Sequence, residues 1–273
     1  MLAVTEFAPA KINLSLEVLG RRADGYHELR SVVAFADVGD RLTITLAGQN
    51  ELAVSGPFVE GVPLDESNII WKAWAHLHGL MDVPPVSVLL EKHLPLAAGI
   101  GGGSADAAAM LRGLLRLVDV RLSDDQVRGL AAIGADVPVC FLGKACVMEG
   151  IGEKITILDE QLPPALVLMN PRVACETAAV FKAMALHPGD IRPPSVRAEW
   201  RNDMTAAAIR TQPVISKVLS ALGQTVLHPV LMSGSGATCF GLARDFEEAG
   251  SVAQGLAEAH PQWWVKAARL LSV

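Results

Sequence analysis

The stretch Leu94–Ala109, which reads L-P-L-A-A-G-I-G-G-G-S-A-D-A-A-A, is the most unusual segment of the chain. Four glycines fall within five residues, and an alanine-rich amphipathic pattern follows them to about Leu117. Glycine lets a backbone approach a ligand closely, although each glycine carries an entropic cost of about 0.5–1 kcal/mol. The segment therefore predicts a glycine loop that feeds the N-terminus of a helix, with Ser104 as the N-cap.

A glycine loop of this kind is suited to holding phosphate. Backbone N–H groups at a helix N-terminus, together with the helix dipole, attract an anion. Two familiar phosphate motifs are absent: Lys144 follows Gly143 but is itself followed by Ala145, and the glycines lack the G-x-G-x-x-G spacing. A flexible turn without a ligand is the alternative interpretation.

Composition indicates a compact globular protein. The chain has 273 residues, 51% of them hydrophobic and 19% charged, and its net charge is −6. This charge argues against a nucleic-acid partner, while local N–H groups can still bind phosphate. The four cysteines occur singly, which is typical of reduced buried thiols. With no leader-like or membrane-spanning stretch and no sign of a protein partner, a cytoplasmic protein is expected.

The opening of the chain is expected to be mainly β. Period-two alternation predicts a strand over Val4–Val18, interrupted near Pro9. Two further strands are predicted at Leu29–Phe35 and Arg41–Leu46, joined by a turn through Asp37, Gly39 and Asp40.

Helices and strands alternate in the rest of the chain. Ser67 and Asn68 are placed to cap a helix that ends at Gly79, and Ser123 opens another that Gly134–Pro138 breaks. After a strand at 86–90, the second half shows strand-like stretches at 155–158 and 165–169 and helix-like stretches at 177–185, 204–210 and 214–222. A second glycine loop occupies 232–237.

Five motifs, spread over nearly the whole chain, together resemble the superfamily of galactokinase, homoserine kinase and mevalonate kinase. They are Pro9–Leu14 (P-A-K-I-N-L), Gly20–Leu29 (G-R-R-A-D-G-Y-H-E-L), Leu94–Ala109, Gly134–Pro138 (G-A-D-V-P) and Met232–Ala237 (M-S-G-S-G-A). The second and fourth motifs are similar to the cytidine-recognising kinases of the non-mevalonate isoprenoid pathway. The glycine loop departs from the common pattern at Ala97, Ala98 and Ala105-Asp106.

The resemblance implies an ATP-dependent transfer of phosphate to an alcohol. It assigns Asp136 as the base and Lys11 as the cation that keeps the aspartate ionised and polarises the hydroxyl. It places the nucleotide on Pro95, Leu96, Ala97, Ala98, Gly99, Ile100, Gly101, Gly102, Gly103, Ser104 and Ala105, with Asn68 nearby. Mg²⁺ would accompany ATP, and the Ser104 hydroxyl is the one protein ligand named for it.

The same resemblance implies a small-molecule substrate that carries a cytidine diphosphate group. Tyr26, the only tyrosine of the chain, would stack on cytosine, and His27 would hydrogen-bond its polar edge. Phe181 would supply the opposite face, and Asn13 would contact the substrate. Taken singly, Lys11 is better explained as an edge-strand charge and Asp136 as a turn residue, and only the surrounding motifs reverse this. Phe181 is as compatible with a core position as with a ligand contact.

The expected fold is α+β with two domains of the type found in this superfamily. Residues 1–152 would form an ATP-binding domain and residues 153–273 a substrate domain built as an α/β sandwich, with a cleft between them. The product would be the 2-phosphate of the cytidine-linked methylerythritol. A homoserine- or mevalonate-type kinase and a nucleotide-binding protein without turnover are the alternatives; the G-R-R-A-D-G-Y-H segment and the presence of both Lys11 and Asp136 argue against them.

Overall fold

A computed structural model describes residues 3–159, 161–195 and 200–271 of the chain. Contacts within the described residues define two compact units. The first comprises residues 3–10, 38–94 and 101–143, and the second comprises 11–37, 95–100 and the residues from 144 onward. These units interleave along the chain, and the two domains expected at 1–152 and 153–273 stay a prediction.

Two long strands, β1 (Ala3–Arg21) and β2 (His27–Leu46), contribute residues to both units. In the first unit, the end of β2 pairs antiparallel with β4 (Val86–Glu91), and β4 pairs parallel with β3 (Glu51–Ser55). The helices of this unit are α1 (Ile69–His78), α2 (Gly102–Val118), α3 (Asp124–Gly129) and α4 (Val137–Leu142), with a 3₁₀ turn at Leu130–Ala132. Helix α2 packs against α1 and α4.

The second unit contains two sets of strands. The start of β2 pairs antiparallel with β5 (Cys146–Gly150), and β5 pairs antiparallel with β6 (Lys154–Ile157). A separate antiparallel sheet has the order β10-β7-β9-β8, formed by β7 (Ala165–Asn170), β8 (Val230–Met232), β9 (Cys239–Ala243) and β10 (Trp264–Arg269). Its helices are α5 (Thr177–Met184), α6 (Thr205–Thr211), α7 (Val214–Gly223) and α8 (Phe246–Ala259).

Strand β7, one of the two inner strands of this sheet, is buried along its whole length, and α8 packs on β7 and β10. This arrangement of a sheet covered by helices explains the continuous apolar run of β7, since both of its faces are removed from water. The α+β class expected from the sequence is confirmed.

Two expectations about the opening strands are wrong. Strand β1 continues through Pro9, because among the described residues β2 is the only strand that pairs with β1, and a proline is tolerated where the ladder does not need its N–H group. Strand β2 is continuous and has no turn at Gly39. A Cβ atom at Gly39 would lie 2.3 Å from the carbonyl oxygen of Ala8, so this glycine permits close approach of the two strands.

The expected N-cap of the helix after the glycine loop is also wrong. Helix α2 begins at Gly102, its N-cap is Gly101, and Ser104 lies within the first turn. Gly101 adopts a left-handed conformation, with φ 63° and ψ 19°, and the helix begins at the next residue, two residues before Ser104.

Among the described residues, no helix has the length and apolar character that a membrane crossing requires. The sequence supports no prediction of conformation for the stretch from Arg192 to Arg201. Residues 196–199 of this stretch lie outside the described residues.

Candidate active site

In the second unit, the glycine loop is held through its carbonyl groups. Four consecutive carbonyl oxygens, those of residues 97–100, each accept a hydrogen bond from a different segment. The donors, in order, are Cys175 N (3.0 Å), Thr238 N (3.0 Å), Ser233 Oγ (3.0 Å) and Lys11 N (2.9 Å). Each of these carbonyl oxygens accepts a hydrogen bond from within the protein. Its partial negative charge is therefore partly neutralised and repels a bound anion less.

Gly99 is required by the packing between this loop and the turn at 232–237. It has φ +74°, and an added Cβ would lie 2.5 Å from the carbonyl oxygen of Ser233 and 2.7 Å from the backbone nitrogen of Gly236. Gly234 on the opposing turn is equally restricted, since its added Cβ would lie 2.6 Å from the carbonyl oxygen of Gly99. The two glycine motifs seen in the sequence therefore interlock.

In the first unit, the N-terminus of α2 is not capped by a side chain. Gly101 makes no side-chain cap hydrogen bond, and the first turn contains no acidic residue. An added Cβ at Gly102 would come no nearer than 3.6 Å to Leu94, and one at Gly103 no nearer than 3.8 Å to Ile69. These are ordinary van der Waals distances, so internal packing does not demand glycine here. A helix start with two small residues and no capping side chain fits a phosphate group.

The segment that carries Asp136 lies next to this helix start, within the same unit. An added Cβ at Gly134 would lie 3.8 Å from Ile69 Cδ1 and 3.9 Å from the Ser104 hydroxyl oxygen. Asp136 is the N-cap residue of α4, but its side chain accepts no cap hydrogen bond. Asp136 also lies in a turn that Val137 N closes by donating to the Gly134 carbonyl oxygen (2.9 Å), so the turn interpretation of Asp136 stays open.

Asn68 has a structural role that the sequence predicted. Its Oδ1 accepts a hydrogen bond from Ile70 N (3.0 Å), which caps α1, and its Nδ2 donates to the carbonyl oxygen of Pro63 (2.6 Å). The capping role is confirmed, whereas the contact with nucleotide stays a prediction.

Lys11 and Asn13 lie on β1 in the second unit, and both are buried. Burial raises the pKa of the Cys146 thiol to about 11, and the charge of Lys11 opposes that rise. Asn13 Nδ2 donates to the Ser31 hydroxyl (2.8 Å), and its backbone N–H donates to the Ser233 hydroxyl (3.1 Å). Asn13 Oδ1 is buried and has no hydrogen-bond partner among the described residues. A buried acceptor of this kind suits a donor on a ligand.

The aromatic residues predicted for the base lie together in the second unit. The His27 and Phe181 rings are stacked, with centroids 4.1 Å apart and an interplanar angle of 13°. Burial, and next the Arg21 charge, lower the pKa of His27, which favours the neutral ring. Tyr26 is 60% exposed and leaves its ring accessible. One face of Phe181 is thus covered by His27, and the stacking of Tyr26 and Phe181 on one base stays a prediction.

Sequence reasoning missed a buried cluster of three ionisable side chains in the first unit, in which burial raises the pKa of Asp106 to about 8. Lys92 Nζ donates to Oδ2 of Asp40 and, at 2.7 Å, to Oδ2 of Asp106. Burial alone would lower the pKa of Lys92, but the Asp106 and Asp40 carboxylates raise it and keep the ammonium charged. The sequence shows a lysine, Lys92, directly after the apolar strand β4, which could have indicated a buried ion pair. Its partners Asp40 and Asp106 lie far from it in the chain, so the sequence does not identify them.

Several hydroxyl groups of the second unit were also missed. Ser235 Oγ lies 2.8 Å from Oγ1 of Thr177, the first residue of α5. The carbonyl oxygen of Ser235 accepts a hydrogen bond from Cys175 Sγ. The M-S-G-S-G-A motif was identified, but no single serine of it was selected. Only the fold shows that Ser233 bonds to the glycine loop and to β1.

The donor set limits what metal the chain can hold. Within the described ranges, no group of three histidine, cysteine, aspartate or glutamate side chains is arranged to bind a metal ion. The Ser104 hydroxyl in the first turn of α2 fits a single oxygen contact, which is compatible with Mg²⁺ because that ion usually keeps phosphate and water oxygens as ligands.

Comparison with known proteins agrees with this geometry. The GHMP kinases N terminal domain matches residues 68–144, and the GHMP kinases C terminal domain matches residues 191–262. The 4-diphosphocytidyl-2-C-methyl-D-erythritol kinase of Rhodopseudomonas palustris strain BisB18 is 45% identical, covering 98% of this chain and 95% of the relative.

Two solved structures are similar to this chain, one in sequence and fold and the other in fold alone. A crystal structure of 4-(cytidine 5'-diphospho)-2C-methyl-D-erythritol kinase is 31% identical, with a TM-score of 0.81, covering 99% of this chain and all of that chain. Homoserine kinase from Cytophaga hutchinsonii has a TM-score of 0.67 over 99% of this chain and 96% of its own, at 14% identity. The second similarity concerns the fold alone.

Proposed function

The chain belongs to the 4-diphosphocytidyl-2-C-methyl-D-erythritol kinases of the GHMP kinase family, and we propose that it phosphorylates the 2-hydroxyl of that cytidine-linked alcohol with ATP. The observation that carries this proposal lies in the first unit. The uncapped start of α2 adjoins the segment that holds Asp136, with Gly134 close to Ser104. Anion binding and a carboxylate are thereby provided by neighbouring parts of one unit.

The phosphates of ATP would bind at residues 95–105. The N–H groups at the start of α2 supply hydrogen-bond donors and the positive end of the helix dipole. In the second unit, the bonded carbonyls of residues 97–100 hold the preceding loop in one conformation. Preorganised donors of this kind stabilise charge without rearranging at the moment of transfer.

The chemistry would be carried by two side chains. Asp136 would orient the acceptor hydroxyl and take its proton as the oxygen attacks the γ-phosphorus. Lys11 would place a positive charge at the reacting oxygens; its burial in the second unit makes that charge more effective than the same charge in water.

Mg²⁺ would be held chiefly by the nucleotide phosphates, with the Ser104 hydroxyl as the protein contact. When bound, the ion neutralises the negative charge that builds up on the phosphates.

The cytidine group would be recognised in the second unit. Tyr26 offers an exposed ring for stacking, and the neutral His27, held by Phe181, can hydrogen-bond a base edge. The unpartnered Asn13 Oδ1 would accept a hydrogen bond from the acceptor portion of the substrate. These roles explain why an exposed aromatic residue and an unsatisfied buried amide occur in one unit.

Measurement of ADP release with a panel of acceptors tests the proposal. We expect rapid ADP release with the diphosphocytidyl alcohol, and only background release with homoserine, with mevalonate or with ATP alone. Equal or faster turnover of homoserine or mevalonate would show that the substrate is wrong. ATP binding without turnover of any acceptor would instead indicate a nucleotide-binding protein.

A further inference from the structure

The cluster of Asp40, Lys92 and Asp106 spans the ends of the glycine loop. The chain leaves the first unit after Leu94 and re-enters it at Gly101. Lys92 lies just before the exit and Asp106 just after the return, and their side chains meet at 2.7 Å although they are 14 positions apart. This contact therefore links the two points at which the loop is attached to the first unit.

Asp40 fixes the exit side of the loop. Its Oδ1 accepts hydrogen bonds from the backbone N–H groups of His93 (2.6 Å) and Leu94 (2.9 Å), while its Oδ2 binds Lys92. Asp40 is completely buried, so water does not compete for these bonds. The direction in which the chain leaves β4 is thus set by one carboxylate.

Asp106 fixes the return side. It lies one helical turn after Gly102, and residues four apart share a face of a helix. An added Cβ at Gly102 would lie 3.8 Å from Asp40 Oδ2, which places the charged cluster directly behind the first turn of α2. The cluster and the proposed phosphate site are therefore parts of the same helix start.

Stability alone explains this arrangement poorly. Two carboxylates share one ammonium group in a buried place, and buried ion pairs are often no more stabilising than apolar side chains of similar size. One oxygen of Asp106, Oδ1, has no partner among the described residues. A cluster that gains little stability but fixes two backbone segments is suited to positioning.

We propose that Asp106, acting through Lys92 and Asp40, is a positioning residue that holds the first turn of α2 in the orientation needed for nucleotide phosphates. This inference rests on the proposed ATP-dependent function. It assigns no contact with substrate to Asp106; removal of the link loosens the loop attachment and weakens nucleotide binding, while acceptor binding is retained.

The test compares Asp106→Ala with Asp106→Asn. The alanine variant removes the link but leaves Lys92 paired with Asp40, so the protein is expected to fold. The asparagine variant keeps an oxygen that accepts from Lys92 and should restore wild-type behaviour. Glu6→Ala is the matched control, because it removes ion pairs to Arg112 and Arg116 farther along α2 and leaves the first turn intact.

Two measurements separate this inference from the proposed function. Hydrogen exchange of residues 93–104 without nucleotide should be faster in Asp106→Ala than in wild type, Asp106→Asn and Glu6→Ala. The KM for ATP should rise at least about tenfold in Asp106→Ala alone, equivalent to about 1.4 kcal/mol, with an unchanged KM for the acceptor. Exchange needs no turnover, so it remains informative if the activity assay fails.

Unchanged exchange and unchanged ATP KM in folded Asp106→Ala would overturn the inference. So would an equal rise in both KM values, or failure of Asp106→Asn to restore ATP binding. If the alanine variant does not fold, Asp106→Ser, whose side chain is too short to reach Lys92, is subjected to the same measurements and the same criteria.

Discussion

At the scale of single residues, the residues of the proposed site differ in how their polar groups are bonded. Asp136 occupies an N-cap position without capping α4, and Asn13 Oδ1 is buried without a partner among the described residues. Asn68 is the contrasting case, since both polar atoms of its side chain bond to backbone groups. The bonding of a polar side chain is therefore a better guide to its role than the residue type alone.

Asp136→Asn should lower kcat by roughly 10²–10⁴-fold, the usual contribution of a positioned proton acceptor. ATP affinity should stay within about twofold, because the proposed role is toward the acceptor hydroxyl. Steady-state kinetics and calorimetric titration of ATP check both values. Asp125→Asn, which changes an exposed aspartate on α3, is the control and should behave as wild type. Near-normal turnover by folded Asp136→Asn would contradict the assignment.

At the scale of elements, the glycine loop combines two different uses of glycine. Gly99 is demanded by internal packing, because a side chain there would meet backbone atoms of the 232–237 turn at 2.5–2.7 Å. Gly102 and Gly103 have room for a Cβ atom, so internal packing does not require glycine at either position, whereas the proposed phosphate ligand would. Mutations at Gly99 and at Gly102 should therefore have different consequences.

Gly102→Val should raise the Kd for ATP at least about tenfold, since a branched side chain obstructs the N–H groups at the start of α2. Affinity for the acceptor should change little. Gly99→Ala should instead lower the free energy of unfolding by about 1–2 kcal/mol or more, because of its left-handed backbone and the contact with Ser233. Calorimetric titration and urea unfolding measure these effects. A normal ATP Kd in folded Gly102→Val would show that the loop is structural.

At the scale of the whole molecule, the proposed site residues are divided between the two compact units. The first unit contains the start of α2, Ser104 and Asp136, and the second contains Lys11, Asn13 and the pair His27–Phe181. Recognition of the base can thus be altered in the second unit without changing the helix start in the first. Selectivity is the property that best distinguishes this chain from kinases that share only its fold.

Wild type should use the cytidine form of the substrate far better than the uridine form, because a hydrogen-bonding site rejects a base that leaves its groups unpaired. Tyr26→Ala should weaken substrate binding by roughly fivefold to more than a hundredfold, given about 1–3 kcal/mol for stacking on a base. The control is Phe246→Ala, whose ring lies under Arg269. Values of kcat/KM for both bases check this. Equal use of the two bases by wild type would rule out cytidine recognition.

Much of the local structure was predictable from the sequence because its causes are local. The helix ending at Gly79 and the Ser123 cap follow from capping chemistry, and β7 from a continuous apolar run. The continuity of β2 was not predictable, since Asp40 resembles a turn residue until its partner Lys92 is known. Helix α8 was not predicted, because its interior glycines at 250 and 255 weaken the helical pattern of the sequence. Strand β10 was not predicted either.

By itself, the sequence determined the family, the glycine loop and the residues expected to act on phosphate, because glycine spacing and short motifs carry that chemistry locally. Only the tertiary structure decided that residues 97–100 are held by four separate segments, that His27 stacks on Phe181, and that Lys92 lies between Asp40 and Asp106. The physical reason is that each of these contacts joins residues far apart in the chain. Their distances and burial exist only once the chain has folded.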